Sequence, residues 1–405
     1  MGTTYTHGIV WGGRPPGCDA TGIYGLLRSP NNMQNVETIS NIRRSQTPWH
    51  QDALLVATSI NCQATDQRDK VYGLLGIAAE NKSTTSASSA LRSNYELDVI
   101  EVYTNIAHFF LQECRNLSIP SRATGISDAV SQAQRKHQFK LLPSWVPNWC
   151  DYYVEEREVA KSLSWLFHPH TIGAATLGFP EHYNASAGLP LNLLKSPDRF
   201  ILRLSALEVD AVISAIQFKD DLDFSRQNAQ VSPLLQFWEA AVPFSPEGEV
   251  SIDWIASWVR ATTAEHHVLS GRTAEQMLKD GAAYLHRRIA SSRESCQTGS
   301  QDVLRMLREL SVGGDPGIYA ALASNFCRNR TFIVTQKGRM GISPLATRPG
   351  DAVFVIFGGG VPYVLRTRTC GSLFVGESYI DGLMAGEAVK AWRRGDLSET
   401  SLEIL

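Results

Sequence analysis

Short strand-like runs near the end of the chain restrict the fold more than any other feature. They lie at 332–334, 352–357, 363–365 and 373–375, with a turn-forming Gln-Lys-Gly at 336–338. Each run is rich in Val, Ile, Phe or Tyr and is bounded by Gly or Pro, which is typical of antiparallel strands in a small barrel or curled sheet. We therefore predict a small antiparallel β-barrel-like unit at the C-terminal end.

The preceding part of the chain has mostly helical periodicity. Residues 97–114 form an amphipathic helix pattern, and similar patterns occupy 252–262, 274–289 and 301–310. Residues 199–217 alternate between apolar and polar side chains and predict one or two strands. The predicted class is α+β, with a mainly helical body over 1–328 and a β-rich unit packed on it over 329–405.

Composition restricts the partners and the location. Of 405 residues, 43% are hydrophobic and 19% are charged, and the formal net charge is -2, so nothing favours nucleic acid or a membrane surface as a partner. No apolar run is long enough to span a bilayer, and the first residues lack the basic head and apolar run of a secretory signal. We expect a cytoplasmic protein.

Cysteine spacing and motif content predict neither a metal nor a cofactor. The seven cysteines are scattered and form no Cys-x-x-Cys pair, which argues against a zinc site or a disulfide framework. The three consecutive glycines at 358–360 precede Val-Pro, which cannot open the helix that a dinucleotide site requires. We expect no bound metal and no cofactor.

Arg68 and Asp69 lie in a charged segment that leads directly into an apolar helical pattern. Val71, Leu74 and Leu75 share one helical face, so the acidic residues lie near the positive end of a buried helix. A paired arginine and carboxylate can orient a polar ligand. The structural alternative is that the carboxylate caps the helix while the arginine holds a loop.

The densest aromatic stretch includes Trp145, Trp149 and Tyr152. Pro143 and Pro147 prevent a long helix here and favour an extended segment that inserts two large rings into the core. Such rings can line a pocket for a flat or apolar ligand, and we treat all three as candidate substrate-binding residues. Core packing alone is the alternative explanation.

Glu377, Tyr379 and Asp381 are the candidate catalytic residues. They come from a predicted strand that leaves the barrel, and their alternating spacing places all three on one face. Two carboxyl groups and a phenol that converge there could transfer protons without a metal, provided that burial raises the pKa of the acid. The alternative is a hydrogen-bonded network between the barrel and the helical body.

Several segments, in this order, resemble the fungal heterokaryon-incompatibility (HET) family. They are RDKVY at 68–72, LPSWVPNW at 142–149, KGRMG at 337–341, VPYVLR at 361–366 and GESYIDGLMAGEA at 376–388. The likeness is to the region downstream of the family's effector core. Family members usually begin with that core, whereas residues 5–12 are only faintly similar to its opening strand. The core's Cys-Ile-Asn-Gln-like segment has no counterpart at a suitable distance, because the similar residues 60–63 lie next to the later signature. We therefore predict a stand-alone protein that largely lacks the death-effector core, and whether the natural chain is longer at its N-terminus stays open.

Two functional hypotheses follow. The first is a cofactor-independent enzyme or binder for an apolar or aromatic small molecule, acting by cyclisation or dehydration in natural-product biosynthesis. The second, implied by the resemblance, is a non-catalytic recognition or regulatory module in heterokaryon incompatibility. A second copy of the chain or another protein is left open as a partner.

Overall fold

The structure is a computed structural model of the whole chain. It describes residues 55, 64–76, 92–112, 115, 117, 120, 123, 142–149, 183–218, 233–291, 301–327 and 330–405. The predicted site residue Tyr152 lies outside these ranges, as does Ala78, the last residue of the first predicted helical face.

Eight helices occupy the described part of the chain. They are α1 (Asp69–Leu75), α2 (Val99–Gln112), α3 (Pro233–Ala241), α4 (Ile252–Thr263), α5 (Ala274–Ser291), α6 (Gln301–Leu310), α7 (Pro316–Cys327) and α8 (Glu387–Arg394). Local chemistry defines the limits of α4, because the Ser251 side chain accepts a hydrogen bond from the Trp254 amide and Ala264 ends the helix in a left-handed conformation. The helices predicted near 97–114, 252–262, 274–289 and 301–310 are confirmed.

Eight strands of the described residues form one sheet. They are β1 (Leu202–Phe218), β2 (Arg330–Thr335), β3 (Met340–Pro344), β4 (Ala352–Ile356), β5 (Tyr363–Arg368), β6 (Gly371–Glu377), β7 (Tyr379–Ile380) and β8 (Glu399–Ile404). The predicted strand runs correspond to β1, β2, β4, β5 and β6. Strand β7 lies in the strand that was expected to carry Glu377, Tyr379 and Asp381. The sequence patterns did not single out β3, β8 or the short helix α8.

The sheet has two arms that share β1, a barrel arm and an arm formed with β2, β3 and β7. The first half of β1 pairs with β8 and β4, and the β4–β5–β6 hairpins lead back to β8 through a parallel bridge, so these five strands close a barrel. Its second half pairs with β2, and β3 and β7 extend that arm. Register shifts between Glu208 and Asp210 and between Val212 and Ser214 bend the 17-residue strand, so that one segment serves both arms.

The α+β class with a C-terminal barrel is therefore confirmed, with two additions. One barrel contact, between Ser372 and Ile404, is parallel, and the long strand β1 comes from the segment that precedes the C-terminal helices. The domain boundary at 328/329 stays a prediction.

The core has a large helical part and a smaller cluster on the outer side of the barrel. Rings stack through the helical part, with Tyr319 centred 5.5 Å from Trp258 and 5.2 Å from Tyr284. Strand β4 is buried on both faces, because Phe354 points into the large core and Val355 into the cluster that α8 covers. This double burial explains why β4 reads as an unbroken apolar run. Within the described ranges, no helix combines the length and hydrophobicity that a membrane crossing requires.

Candidate functional site

Glu377, Tyr379 and Asp381 lie where the barrel meets the helical body. Glu377 ends β6 and is 1% exposed, while Tyr379 belongs to β7 and is completely buried. The Tyr379 hydroxyl donates a hydrogen bond to Asp381 Oδ1 at 3.3 Å. The chain thus brings the phenol and one carboxylate into contact, with the phenol in a packed interior.

Arg260 binds Asp381 from the helical body. Its Nε and Nη2 lie 2.7 and 2.8 Å from the two carboxylate oxygens, which is the two-pronged geometry that guanidinium and carboxylate favour. Arg260 is on α4 and Asp381 follows β7, so the ion pair connects the body to the barrel. The contact raises the pKa of Arg260 above its ordinary value, and the Asp381 side chain is 14% exposed.

Arg330, at the start of β2, is buried close to Glu377. Burial lowers the pKa of Arg330, and the negative charge of Glu377 opposes that shift. Burial also raises the pKa of Tyr183, Tyr379 and Tyr319 well above that of a free phenol. These phenols keep their protons at neutral pH, so they are poor bases. The Tyr183 hydroxyl donates to the Ala264 carbonyl oxygen, which directs it away from any open surface.

Trp145 and Trp149 are buried in the core, at 0% and 1% exposure. The Trp145 indole N–H donates to the Phe200 carbonyl oxygen at 3.1 Å, and the His108 ring meets the Trp145 ring edge-on at 4.9 Å. Trp149 packs edge-on against Tyr103 of α2. The neighbouring Ser144 holds this segment to β6, because its hydroxyl accepts the Phe374 amide at 2.9 Å.

Arg68 and Asp69 lie at the start of α1. The Arg68 guanidinium pairs with Asp66 at 2.7 Å and donates to the Tyr95 and Leu97 carbonyl oxygens at 2.6 and 3.0 Å. Asp69 accepts the Tyr95 hydroxyl at 2.6 Å. The hydrogen bonds and charge of Arg68 lower the pKa of Asp66. These contacts hold the loop before α2 against the start of α1, and a ligand-binding role for Arg68 and Asp69 stays a prediction.

A surface groove between the end of α2 and residues 193–203 was not predicted. It has a volume of about 790 Å³ and includes His108 and Gln112 on its helical side. The His108 Nε2–H donates to the Arg199 carbonyl oxygen at 2.6 Å, which holds the loop against α2. The only sequence signal was a set of cations at 195, 199 and 203, and their convergence with α2 depends on tertiary folding.

Comparison with known proteins finds one matching family model and one similar curated protein. The family model of the Het-6 beta-barrel domain matches residues 273–398. Heterokaryon incompatibility protein 6, OR allele, of Neurospora crassa is 24% identical over 374 residues, which is 85% of this chain and 52% of that protein. The chain is thus similar to a heterokaryon-incompatibility protein over most of its length, and its C-terminal part matches the Het-6 beta-barrel domain. No solved structure matches it.

The match to the Het-6 beta-barrel domain includes some of the candidate features and leaves others outside. Residues 273–398 contain Glu377, Tyr379, Asp381 and Arg330, together with barrel strands β4, β5 and β6. Strands β1 and β8, which close the barrel, lie outside the match, as does the groove. The chain spans about half the length of the curated relative that it matches.

Proposed function

We propose that this HET-family protein is a non-catalytic recognition module in fungal heterokaryon incompatibility, which acts in the cytoplasm by contacting another protein. The relative from Neurospora crassa is named for heterokaryon incompatibility and aligns with 85% of this chain. The Het-6 barrel match adds a shared domain. Both support this class of function over an unrelated one.

The observation that carries the proposal is that the candidate acid–base groups form contacts inside the protein. Tyr379 is fully buried with a raised pKa, and Arg260 holds both oxygens of Asp381. A general acid or base needs access to a substrate proton at hydrogen-bonding distance. The arrangement therefore supports a structural connection between body and barrel more than a reaction centre.

Two exposed turns supply an apolar surface for a protein partner. Val268 and Leu269 are 68% and 56% exposed, and Val312 is 74% exposed. Arg272, which follows the first turn, forms an ion pair with Asp280 at 2.9 Å, and the Asp315 amide, after the second turn, donates to the same carboxylate at 2.6 Å. One residue of α5 thus holds both turns, and neighbouring exposed aliphatic groups are typical of interaction sites.

Growth of fungal cells that express the protein tests this proposal. We expect growth arrest in some strains of a genetically diverse panel, and loss of that arrest when Val268→Ser and Leu269→Ser are combined. Ile252→Ser is the matched control, because Ile252 is also an exposed aliphatic residue, at 48%, and begins α4, the opposite end from these turns. Normal growth in every strain, or equal loss of arrest with the control, would contradict the proposal.

A small-molecule function is the second candidate, and the observation that favours it is the groove lined by His108, whose ring packs edge-on against the buried Trp145. In its enzymatic form, Glu377, Tyr379 and Asp381 relay protons during a cyclisation or dehydration of an apolar substrate, with Trp145, Trp149 and Tyr152 as walls. Glu377→Gln tests that form by comparing the small molecules produced by fungal cells that express the variant with those produced by cells that express the unchanged protein. Unchanged product formation by the variant would remove Glu377 from the mechanism.

A further inference from the structure

The groove between α2 and residues 193–203 has an apolar floor that is already in place. Leu193 forms a β-bridge with Leu204, and the Leu194 amide donates to the Arg203 carbonyl oxygen at 3.0 Å. Leu202, which also lines the groove, is 3% exposed and belongs to the main core. The floor is therefore held in place by the first residues of β1. It is pre-organised, so ligand binding does not have to order it.

The rim of the groove is cationic. Among the described residues, Arg115, Lys195, Arg199 and Arg203 line it, against one acidic residue, Asp198. This excess of positive charge contrasts with the formal net charge of -2 for the whole chain. A site of one sign on a nearly neutral protein attracts ligands of the opposite sign.

Two of these cations remain available to a ligand. Glu101 pairs with Arg199, and Glu403 pairs with Arg203 at 3.0 Å. Within the described ranges, neither Lys195 nor Arg115 forms an ion pair or a side-chain hydrogen bond, and both are exposed. They can therefore bind an anion without first breaking an internal contact.

The dimensions of the groove favour a small ligand over a folded protein. A volume of about 790 Å³ lies within the range of about 300–1,000 Å³ that is common for small-molecule sites. Its composition, aliphatic below and cationic above, matches a molecule with one apolar end and one anionic end.

We infer that this groove binds a small organic anion in which an apolar chain or ring carries a carboxylate. The apolar part lies on Leu193, Leu194 and Leu202, and the carboxylate lies between Lys195 and Arg115. This inference does not rest on the proposed role in incompatibility, because it concerns a different surface and a different class of ligand.

Three probes separate the two requirements, with calorimetric titration of the purified full-length chain as the measurement. Decanoate has both the apolar chain and the carboxylate, decan-1-ol lacks the charge, and acetate lacks the chain. We expect decanoate to bind at least about tenfold more tightly than either of the others. High salt weakens decanoate binding, because exposed charges are screened. Equal binding of decanol, or no decanoate binding up to about 1 mM, would overturn the inference.

Charge reversals identify the site. Lys195→Glu and Arg115→Glu each replace an attraction by a repulsion, and we expect each to weaken decanoate binding by about five- to tenfold. Arg287→Glu is the matched control, an exposed arginine on α5 that does not line the groove. Leu194→Ser tests the floor and keeps the backbone hydrogen bond to Arg203. If both rim variants bind decanoate as tightly as the control does, the site is elsewhere and the inference fails.

Discussion

The ion pair between Arg260 and Asp381 gives the sharpest test of the junction between body and barrel. Asp381→Asn removes the negative charge and keeps a side-chain oxygen that can still accept the Tyr379 hydroxyl. Arg260→Gln removes the positive charge on α4. The double variant completes a cycle that isolates the energy of the pair from other effects of each change.

The magnitude follows from geometry and exposure. Both oxygens of Asp381 are bound, at 2.7 and 2.8 Å, and its side chain is 14% exposed, whereas that of Arg260 is 40% exposed. Exposed ion pairs contribute about 0.2–1 kcal/mol, and two-pronged charged contacts are the strongest of them. Because water screens one partner, we expect a coupling energy of about 1 kcal/mol.

Urea unfolding of the four proteins, followed by circular dichroism, measures this coupling. We expect each single variant to lower the free energy of unfolding by about 1–2 kcal/mol, and the double variant to lose about 1 kcal/mol less than the sum. The coupling falls at high salt because the pair is partly exposed. A coupling below about 0.3 kcal/mol, which is the limit of additivity for independent sites, would refute the assignment of this pair as the connection.

Three further predictions concern the core. A Cβ at Gly281 would lie 2.4 Å from Val259 Cγ2, so Gly281→Ala is expected to destabilise the protein by about 1–2 kcal/mol despite its better helix propensity. A Cβ at Gly73 would have nothing within 4 Å, so Gly73→Ala is expected to stabilise the protein by about 0.5–1 kcal/mol. Chemical denaturation checks both variants, and equal effects on the free energy of unfolding would be inconsistent with the packing. Buried Tyr379 keeps its proton in the folded state, whereas the phenol of the unfolded chain loses its proton near pH 10. The free energy of unfolding therefore falls as pH rises above about 10, by about 1.4 kcal/mol per pH unit for each such tyrosine. Tyr379→Phe is expected to reduce that slope by one such increment in unfolding measured at alkaline pH, and an unchanged slope would show that this phenol ionises in the folded protein. Trp145→Phe removes the indole hydrogen bond to the Phe200 carbonyl oxygen and some core volume. It is expected to lower the free energy of unfolding by about 2 kcal/mol. A loss below about 0.5 kcal/mol would contradict the role of Trp145 as an anchor of this segment.

Local patterns identified most of the helices and the strands with long apolar runs. Strand β8 was missed although Leu402 and Ile404 alternate with exposed polar residues, because a six-residue alternation so near other short segments is a weak signal. Strand β3 contains Gly341, Ser343 and Pro344 and has little strand character. Gly341 lies so close to β7 that an added Cβ would be 2.2 Å from the Tyr379 carbonyl oxygen, a requirement that appears only once the strands are paired.

The sequence by itself determined the α+β class, the C-terminal barrel unit and the anchoring of Trp145 and Trp149, because periodicity, proline and large apolar rings act over a few neighbouring residues. Tertiary structure alone decided the use of β1 in two arms, the pairing of Arg260 with Asp381 across 121 residues, and the convergence of Arg115 with Lys195 at the groove. Such contacts join residues with no mutual constraint along the chain, and it is the packing of the helical body on the barrel that brings them together.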